Sequence, residues 1–253
     1  MSDDLLASRA RDYEPPPNLL AGRAILVTGA GQGLGRAVAL ACAAHGATVA
    51  LLGRNVEKLE ATYDAITAAG GPEPAAIPLD LASAGTAELE QLAHLLRRDL
   101  KRLDGIAHCA AHFVPLGPLA NQTLEQWTTL LRVNLAAPFA LSRACLPLLA
   151  KSEDAAVVFT GETHGLAPRA YWGGFAVAKS ALSTLAAIWA DELADRGPRV
   201  NVLVPGPIAS PQRARSHPGE DSSRLRTAEE TARAFLFLLG PEGRGASGKT
   251  VAL

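Results

Sequence analysis

This sequence has few cysteines, no long apolar run and almost no net charge. Only three of its 253 residues are cysteines. Cys42, Cys109 and Cys145 form an odd, widely spaced set, which argues against a disulfide framework and favours a reducing cytoplasm. No apolar run approaches the ~18 residues of a membrane span. A net charge of −1 argues against nucleic acid or an anionic membrane as the main partner. The chain begins Met-Ser-Asp-Asp, which is acidic rather than basic, so we expect no signal peptide.

What the sequence does contain is a glycine-rich turn near its start. Residues 24–27 form a short apolar run, rich in branched side chains, that is typical of a buried strand. Gly29, Gly31, Gly33 and Gly35 follow, and apolar residues then recur at helical spacing. A strand, a glycine turn and a helix open a βαβ nucleotide-binding unit, because the helix N-terminus attracts phosphate. The spacing departs from G-x-G-x-x-G, and a plain tight turn is the alternative. The flanking strand and helix favour the dinucleotide site.

Beyond this turn, short apolar runs alternate with helical patterns as far as the last residue. The predicted strands are residues 24–27, 48–52, 75–79, 105–109, 155–160, 199–204 and 250–253. The predicted helices are one that ends near Gly46, one that Asn55 caps, and those at residues 86–100, 124–131, 135–150, 172–194 and 228–239. This alternation predicts an α/β fold, a single Rossmann-type doubly wound parallel sheet of about seven strands with helices on both faces. Its ligand would bind at the carboxyl ends of the strands, where the strand order reverses.

Residues 1–22 precede this pattern and are expected to form an N-terminal arm. Pro15, Pro16 and Pro17 block a helix and favour an extended path. Residues 23–253 are then one domain, since no internal repeat and no linker interrupts them.

A combination of motifs in this chain resembles the short-chain dehydrogenase/reductases. The motifs are the turn Thr28-Gly-x3-Gly-x-Gly35, Asp80, Asn134, Lys179 with its helix, and the segment Arg199-Val-Asn-Val-Leu-Val-Pro-Gly-Pro-Ile208. The resemblance extends from about Leu19 to the last residue. It implies an oxidoreductase that acts on a carbonyl or alcohol with a nicotinamide cofactor.

The resemblance also implies where such a cofactor lies. Its pyrophosphate is expected against the glycine turn, its adenine beside the end of the third strand, and its nicotinamide beside the end of the sixth. The implied cofactor-binding residues are Gly29, Gln32, Gly33, Leu34, Asp80, Leu81, Ala110, Lys179, Pro205, Gly206 and Ile208.

The end of the second strand decides between NADP(H) and NAD(H). Enzymes of this kind that use NAD carry an acidic residue there, which binds the ribose 2′-hydroxyl. Here Gly53-Arg54 occupies the position, and a guanidinium suits a 2′-phosphate. The alternative is a plain surface arginine. We therefore expect NADP(H) rather than NAD(H), with Arg54 as a cofactor-binding residue.

The proton relay that the resemblance implies is incomplete in this chain. The family uses a tyrosine to exchange a proton with the substrate, and a lysine to lower that tyrosine's pKa and hold the nicotinamide ribose. A serine steadies the substrate oxygen, and an asparagine holds a water. Asn134 and Lys179 match, but Phe175 and Glu162 stand at the tyrosine and serine positions. A phenyl ring has no ionisable proton, so the ~10²–10⁴-fold contribution of positioned proton transfer needs another group.

Two side chains are candidates for that role. Tyr171 precedes Phe175 by about 6 Å if both lie on one helix. Glu162 would act as the acid or base if it lies near Lys179. Alternatively, Glu162 and Lys179 form a structural salt bridge and Tyr171 is a rim aromatic. Two functions remain open: an NADP(H)-dependent oxidoreductase with an altered relay, or a catalytically inactive NADP(H)-binding pseudoenzyme that acts as a sensor or interaction protein.

His108, Cys109 and His112 lie close together in the sequence, as metal ligands often do. Strand alternation places His108 and Cys109 on opposite faces, and no fourth ligand is evident, so we expect no metal site.

The polar loop at residues 211–227 is expected to cover the substrate. Its arginines would attract an anionic substrate or the cofactor phosphate, and a solvated, mobile loop is the alternative. Relatives in this family pair through two long helices, here residues 135–150 and 172–194. The resemblance therefore implies a homodimer or homotetramer, with a small-molecule substrate as the other partner.

Overall fold

In the computed structural model, which describes residues 3–253, one parallel sheet forms the centre of the chain. The strands are β1 (Ala24–Thr28), β2 (Thr48–Gly53), β3 (Ala75–Pro78), β4 (Gly105–His108), β5 (Ala156–Thr160), β6 (Arg199–Val204) and β7 (Thr250–Ala252). The α-helices are α1 (Asp3–Arg11), α2 (Gly33–Ala44), α3 (Val56–Ala68), α4 (Thr86–Asp99), α5 (Leu124–Leu131), α6 (Ala137–Leu149), α7 (Thr163–Leu166), α8 (Gly173–Glu192), α9 (Pro211–Ser216) and α10 (Ala228–Leu239). The strand order is β3-β2-β1-β4-β5-β6-β7, which confirms the predicted doubly wound Rossmann-type sheet.

Both faces of the sheet are buried, because successive side chains of a strand point to opposite faces. In β1, Ile25 and Val27 belong to a core shared with α2 and α10. Leu26, between them, belongs to a second core shared with α4, α6 and α8. The two apolar layers hold the strands in register, so that the loops after β1 and β4 emerge side by side.

Two predicted helix-end signals are confirmed. Asn55 Oδ1 accepts a hydrogen bond from Lys58 N at 2.8 Å and so caps α3. Gly46 follows α2 with a φ of +89°, in the left-handed region that glycine adopts without a Cβ penalty.

The N-terminal segment contains a helix that the sequence reasoning missed. α1 buries Leu6 and Ala10, and it packs against α10 and β7. Lys249 Nζ also lies 3.0 Å from Asp3 Oδ1. The proline run restricts residues 15–17 and the residue before them, so a helix that ends at Arg11 is compatible with it. Residues 1–2 of the expected arm lie outside the described residues.

The polar loop at residues 211–227 is more ordered than predicted. It carries α9 and a 3₁₀ turn at Ser222–Arg224. Ser210 Oγ accepts a hydrogen bond from Arg213 N at 3.1 Å, and a proline suits the first helical position. These local signals are those of a helix start, so the stretch was wrongly read as irregular.

The two helices predicted at residues 124–131 and 135–150 form one continuous helical stretch. A π-helical segment, Arg132–Ala136, joins α5 to α6. Within it, Asn134 Nδ2 donates to Leu130 O at 2.9 Å, and such insertions into the helical ladder are frequent at functional sites.

Among the described helices, α8 is the one with the length and apolar composition of a membrane span. It packs against β6, and Leu182, Ala186 and Trp189 join the core on that face of the sheet. Its apolar character is therefore that of a core helix.

An ion cluster ties β1, β5 and β6 together at their amino ends. Asp154 Oδ1 lies 3.2 Å from Arg199 Nε, and Asp154 Oδ2 lies 3.4 Å from Arg23 Nη1. Both arginine side chains are 13% exposed and that of Asp154 is 10% exposed. Each arginine relies on the same carboxylate for its counter-charge.

We expect Asp154→Ala to lower the free energy of unfolding by roughly 3 kcal/mol, because two largely buried guanidiniums lose their counter-charge. Urea unfolding followed by circular dichroism measures this. Asp99, whose pair with Arg98 is exposed, supplies the control: Asp99→Ala should lower the free energy of unfolding far less than Asp154→Ala, because water screens the exposed pair. Equal losses in the two variants would contradict the assignment.

Candidate functional site

The glycine turn after β1 packs so closely that two of its positions have no room for a side chain. A Cβ atom on Gly29 would lie 2.9 Å from Ala110 Cα, and one on Gly35 would lie 2.7 Å from Gly29 C. Gly29 also has a φ of +69°. Gln32 is the N-cap of the next helix, α2, and its side chain makes no capping hydrogen bond. The first N–H groups of α2 are therefore left for a ligand.

A cavity of about 380 Å³ lies at the carboxyl ends of the strands, where the strand order reverses. Loops that follow β1, β2, β3, β4 and β6 all contribute to its walls. The structure brings together every position that the sequence implied for cofactor binding. The lining includes Gly29, Gln32, Gly33, Leu34, Arg54, Asp80, Leu81, Ala110, Lys179, Pro205, Gly206 and Ile208.

The two side chains considered as substitutes for the missing phenol lie in different places. Glu162 lines the cavity together with Phe175 and Lys179. Tyr171 is 58% exposed and is not part of the lining. Its φ of +77° and the start of α8 at Gly173 place it before the helix. The helical spacing assumed between Tyr171 and Phe175 therefore does not apply.

Asn134 is buried in the π-helical segment and ties it to the loop after β4. Its Oδ1 accepts from His112 N at 3.2 Å, and its Nδ2 donates to His112 O at 2.8 Å. This pair of hydrogen bonds fixes the backbone of His112, which lines the cavity.

Lys179 is a charged side chain that is only 5% exposed. Its Nζ donates to Thr160 O at 2.8 Å. Burial lowers the pKa of the Lys179 ammonium to about 8, and the negative charge of Glu162 opposes that shift. In residues 3–253 no direct ion pair joins Lys179 to Glu162. The carboxylate therefore influences the ammonium without being tied to it.

An aromatic wall, formed by Phe113, Trp172 and Phe175, lies beside Lys179. The Phe175 ring centroid is 5.2 Å from that of Phe113 and 6.2 Å from that of Trp172. Lys179 Nζ lies 5.7 Å from the Phe175 centroid. The Phe175 side chain is 2% exposed, so the wall is apolar where the family resemblance implies a phenol hydroxyl.

His108 and Cys109 at the end of β4 have separate surroundings. His108 Nε2 forms a hydrogen bond with Ser142 Oγ at 2.7 Å, and its ring stacks on Phe159. Burial lowers the pKa of His108 to about 3 and raises that of Cys109 to about 12. Cys109 lines the cavity. Within the part of the chain that the structure describes, no cluster of three His, Cys, Asp or Glu side chains is placed to hold a metal ion.

Lys58 and Trp172 are among the lining residues that the sequence reasoning missed. Lys58, one turn into α3, lines the cavity and its Nζ donates to Gln32 Oε1. The predicted Asn55 cap, directly after Arg54, was the available signal for Lys58, because it places the first turn of α3 next to the expected cofactor site. Trp172 also lines the cavity, and no local pattern marks it.

The fold, the glycine turn and the crevice together define a dinucleotide-binding α/β domain. A comparison with protein families agrees and is more specific: the model described as short chain dehydrogenase matches residues 23–221. The chain therefore belongs to the short chain dehydrogenase family.

Individual relatives extend over almost the whole chain. The uncharacterized oxidoreductase YciK of Escherichia coli (strain K12) is 38% identical over 238 residues, which cover 94% of each chain. A solved short chain dehydrogenase from Pseudomonas syringae is 40% identical with a TM-score of 0.92, covering 95% of this chain and 98% of that one. Another from Escherichia coli CFT073, complexed with NADPH, is 38% identical with a TM-score of 0.91, covering 94% and 99%.

We expect Gly35→Ala to weaken NADPH binding by about tenfold or more, since the new methyl group overlaps the backbone of Gly29 and must displace the turn. Fluorescence titration of the purified protein measures the dissociation constant. Gly117→Ala is the matched control, because its Cβ meets nothing within 4 Å. Unchanged binding by Gly35→Ala would contradict the close packing described for the turn.

Proposed function

We propose that this protein is an oxidoreductase that uses NADP(H) to interconvert an alcohol and a carbonyl in a small-molecule substrate, through an altered proton relay. The observation that carries the proposal is the convergence of Glu162, Phe175 and Lys179 on the cavity that the glycine turn borders. Membership of the short chain dehydrogenases and the NADPH complex of a relative support the choice of cofactor.

The residues present fit such a cofactor. The side-chain-free positions Gly29 and Gly35 let a pyrophosphate approach the backbone, and the uncapped start of α2 offers it N–H donors. Arg54 supplies a guanidinium for a 2′-phosphate where an NAD enzyme carries an acid. Lys179 is proposed to hold the nicotinamide ribose. When bound, NADP(H) supplies or accepts the hydride.

We assign the proton exchange to Glu162. In the oxidation direction its carboxylate accepts the proton of the substrate hydroxyl, and in the reduction direction its carboxyl returns that proton to the carbonyl oxygen. Lys179, held by Thr160 O, keeps a positive charge near Glu162 and favours the negative charge that develops on the substrate oxygen. Phe175 excludes water from this side and takes no part in the proton transfer.

A second candidate function rests on the aromatic wall. Phe175 packs on Phe113 and Trp172 and is almost fully buried, as expected of a side chain retained for packing. In that case the protein is an NADP(H)-binding pseudoenzyme, in which the cofactor acts as a sensed or structural ligand.

Steady-state reduction of a panel of carbonyl compounds with NADPH separates the two functions. We expect turnover by the unaltered protein and a loss of about 10²–10⁴-fold in kcat for Glu162→Gln, because the amide keeps the shape but cannot exchange the proton. The dissociation constant for NADPH should change less than about twofold in Glu162→Gln, because the substitution removes no contact assigned to the cofactor. Glu60→Gln, on the exposed side of α3, controls for loss of a surface charge.

The same panel applied to Phe175→Tyr completes the test. If the unaltered protein is inactive on every compound while Phe175→Tyr turns over, the altered relay is wrong and the pseudoenzyme stands. If Glu162→Gln is as active as the parent, the proton comes from another group and the assignment to Glu162 fails.

We also propose a homodimer or homotetramer that assembles through α6 and α8. Phe139 on α6 and Val177 and Ile188 on α8 are 39%, 48% and 50% exposed, an apolar set that pairing would cover.

The three unpaired cysteines support a cytoplasmic location. Neither nucleic acid nor a membrane is proposed as a partner.

Ile188→Glu should reduce the mass in light scattering to that of one chain, since a carboxylate would be buried in the proposed interface. Val56→Glu, on an equally exposed apolar residue of α3, should leave the assembly intact. An unchanged mass for Ile188→Glu, or a monomeric parent protein, would contradict the pairing.

A further inference from the structure

Three nitrogen-bearing side chains from three separate elements line the same cavity. Arg54 follows β2, His112 follows β4, and Arg215 lies in the last turn of α9. All three line the cavity, although more than 100 residues of sequence separate His112 from Arg215. The presence of Arg215 at this cavity is therefore produced by the placement of α9 and not by a local motif.

The helix α9 lies directly over the glycine turn. A Cβ atom on Gly33 would be 3.3 Å from Pro211 Cδ, so the first residue of α9 contacts the start of α2. Before α9, Ile208 forms a bridge with Arg226, and Ala209 N donates to Arg226 O at 2.9 Å. The segment from residue 208 to residue 226 is thus closed at its base, with α9 held over the crevice.

The two arginines of α9 differ in their partners. Arg213 forms a bidentate ion pair with Glu220, at 2.5 Å from Nε and 2.6 Å from Nη2. Arg215 forms no ion pair with any residue in the described range 3–253. Both arginines line the cavity, but the charge of Arg213 is neutralised by Glu220 within the segment, whereas the charge of Arg215 is available to a ligand.

The positive charges of Arg54 and Arg215 both affect the imidazole ring of His112. Burial is the first cause that lowers the pKa of His112, and the guanidiniums of Arg54 and Arg215 lower it further, with Asp80 opposing them. Both guanidiniums therefore lie near enough to His112 to disfavour a positive charge on its ring. A dianionic group placed there would relieve that repulsion.

We propose that Arg215 is a ligand of the cofactor's 2′-phosphate, opposite Arg54, so that the phosphorylated cofactor holds α9 closed over the crevice. This rests on the proposed use of NADP(H). The 2′-phosphate is the one group that distinguishes NADP(H) from NAD(H), and Arg215 thereby makes closure of the segment selective for NADP(H).

Binding constants for NADPH and NADH test the contact. In Arg215→Gln we expect the NADPH dissociation constant to rise about tenfold, as for loss of one charge-assisted hydrogen bond, while that for NADH changes less than about twofold. Arg213→Gln is the matched control two residues earlier in α9. It should leave the ratio of the two constants unchanged, because Arg213 is committed to Glu220.

The outcomes separate this proposal from the proposed function. Equal weakening of NADPH and NADH in Arg215→Gln would assign the arginine to the pyrophosphate or to folding, and would overturn the 2′-phosphate contact while leaving NADP(H) use intact. No change with either cofactor would overturn it too. If the unaltered protein binds neither cofactor, the proposed function itself fails and this inference fails with it.

Limited trypsin digestion measures how far the α9 segment is closed over the crevice, and it needs no enzyme activity. The segment offers cleavage sites after Arg213, Arg215, Arg224 and Arg226. At matched saturation, NADPH should slow cleavage within residues 211–227 several-fold more than NADH, and Arg215→Gln should abolish the difference. Equal protection by both cofactors in the unaltered protein would contradict the closure.

Discussion

The packing of the glycine turn against the end of β4 is the contact on which the rest of the crevice depends. Gly29 and Gly35 leave no space for a side chain, and Thr28 Oγ1 accepts a hydrogen bond from Ala110 N at 3.0 Å. The turn is thereby fixed to the loop that follows β4. This attachment brings the open N-terminus of α2 alongside Ala110 and opposite the loops after β2, β3 and β6. A larger residue at either glycine would separate walls that must meet for one dinucleotide to touch them all.

Charge is distributed unevenly along that crevice, and the distribution separates binding from chemistry. Arg54, Lys58 and Arg215 line the cavity from exposed positions, where they suit the phosphates of a dinucleotide. Lys179 is buried, and its pKa is lowered to about 8. Replacing a phenol by the Phe175 ring leaves the phosphate contacts untouched, because the ring belongs to the aromatic wall. The protein is therefore equipped to bind its cofactor whichever group moves the proton.

Much of this arrangement was predictable from local sequence, because a buried parallel strand and a glycine turn have strong short-range signatures. The doubly wound parallel sheet and the cap at Asn55 belong to this group, whereas the cofactor positions were implied by the family resemblance. The helix α1 was missed because its stability comes from burying Leu6 and Ala10 against α10, which is a tertiary effect. The π-helical segment around Asn134 was missed because neither its geometry nor the hydrogen bond from Asn134 Nδ2 to Leu130 O leaves a mark in the periodicity. The exposed position of Tyr171 was likewise set by a backbone conformation before α8 that spacing alone does not encode.

The central claim is that the crevice binds NADP(H) while Glu162, and not a phenol, faces the reacting oxygen. A crystal structure of the protein with NADP⁺ and a bound alcohol tests it most directly. The account predicts a carboxyl oxygen of Glu162 within about 3 Å of the alcohol oxygen, with Phe175 still packed in the aromatic wall. A structure in which the hydroxyl of Tyr171 contacts that oxygen, with Glu162 turned away, would contradict it.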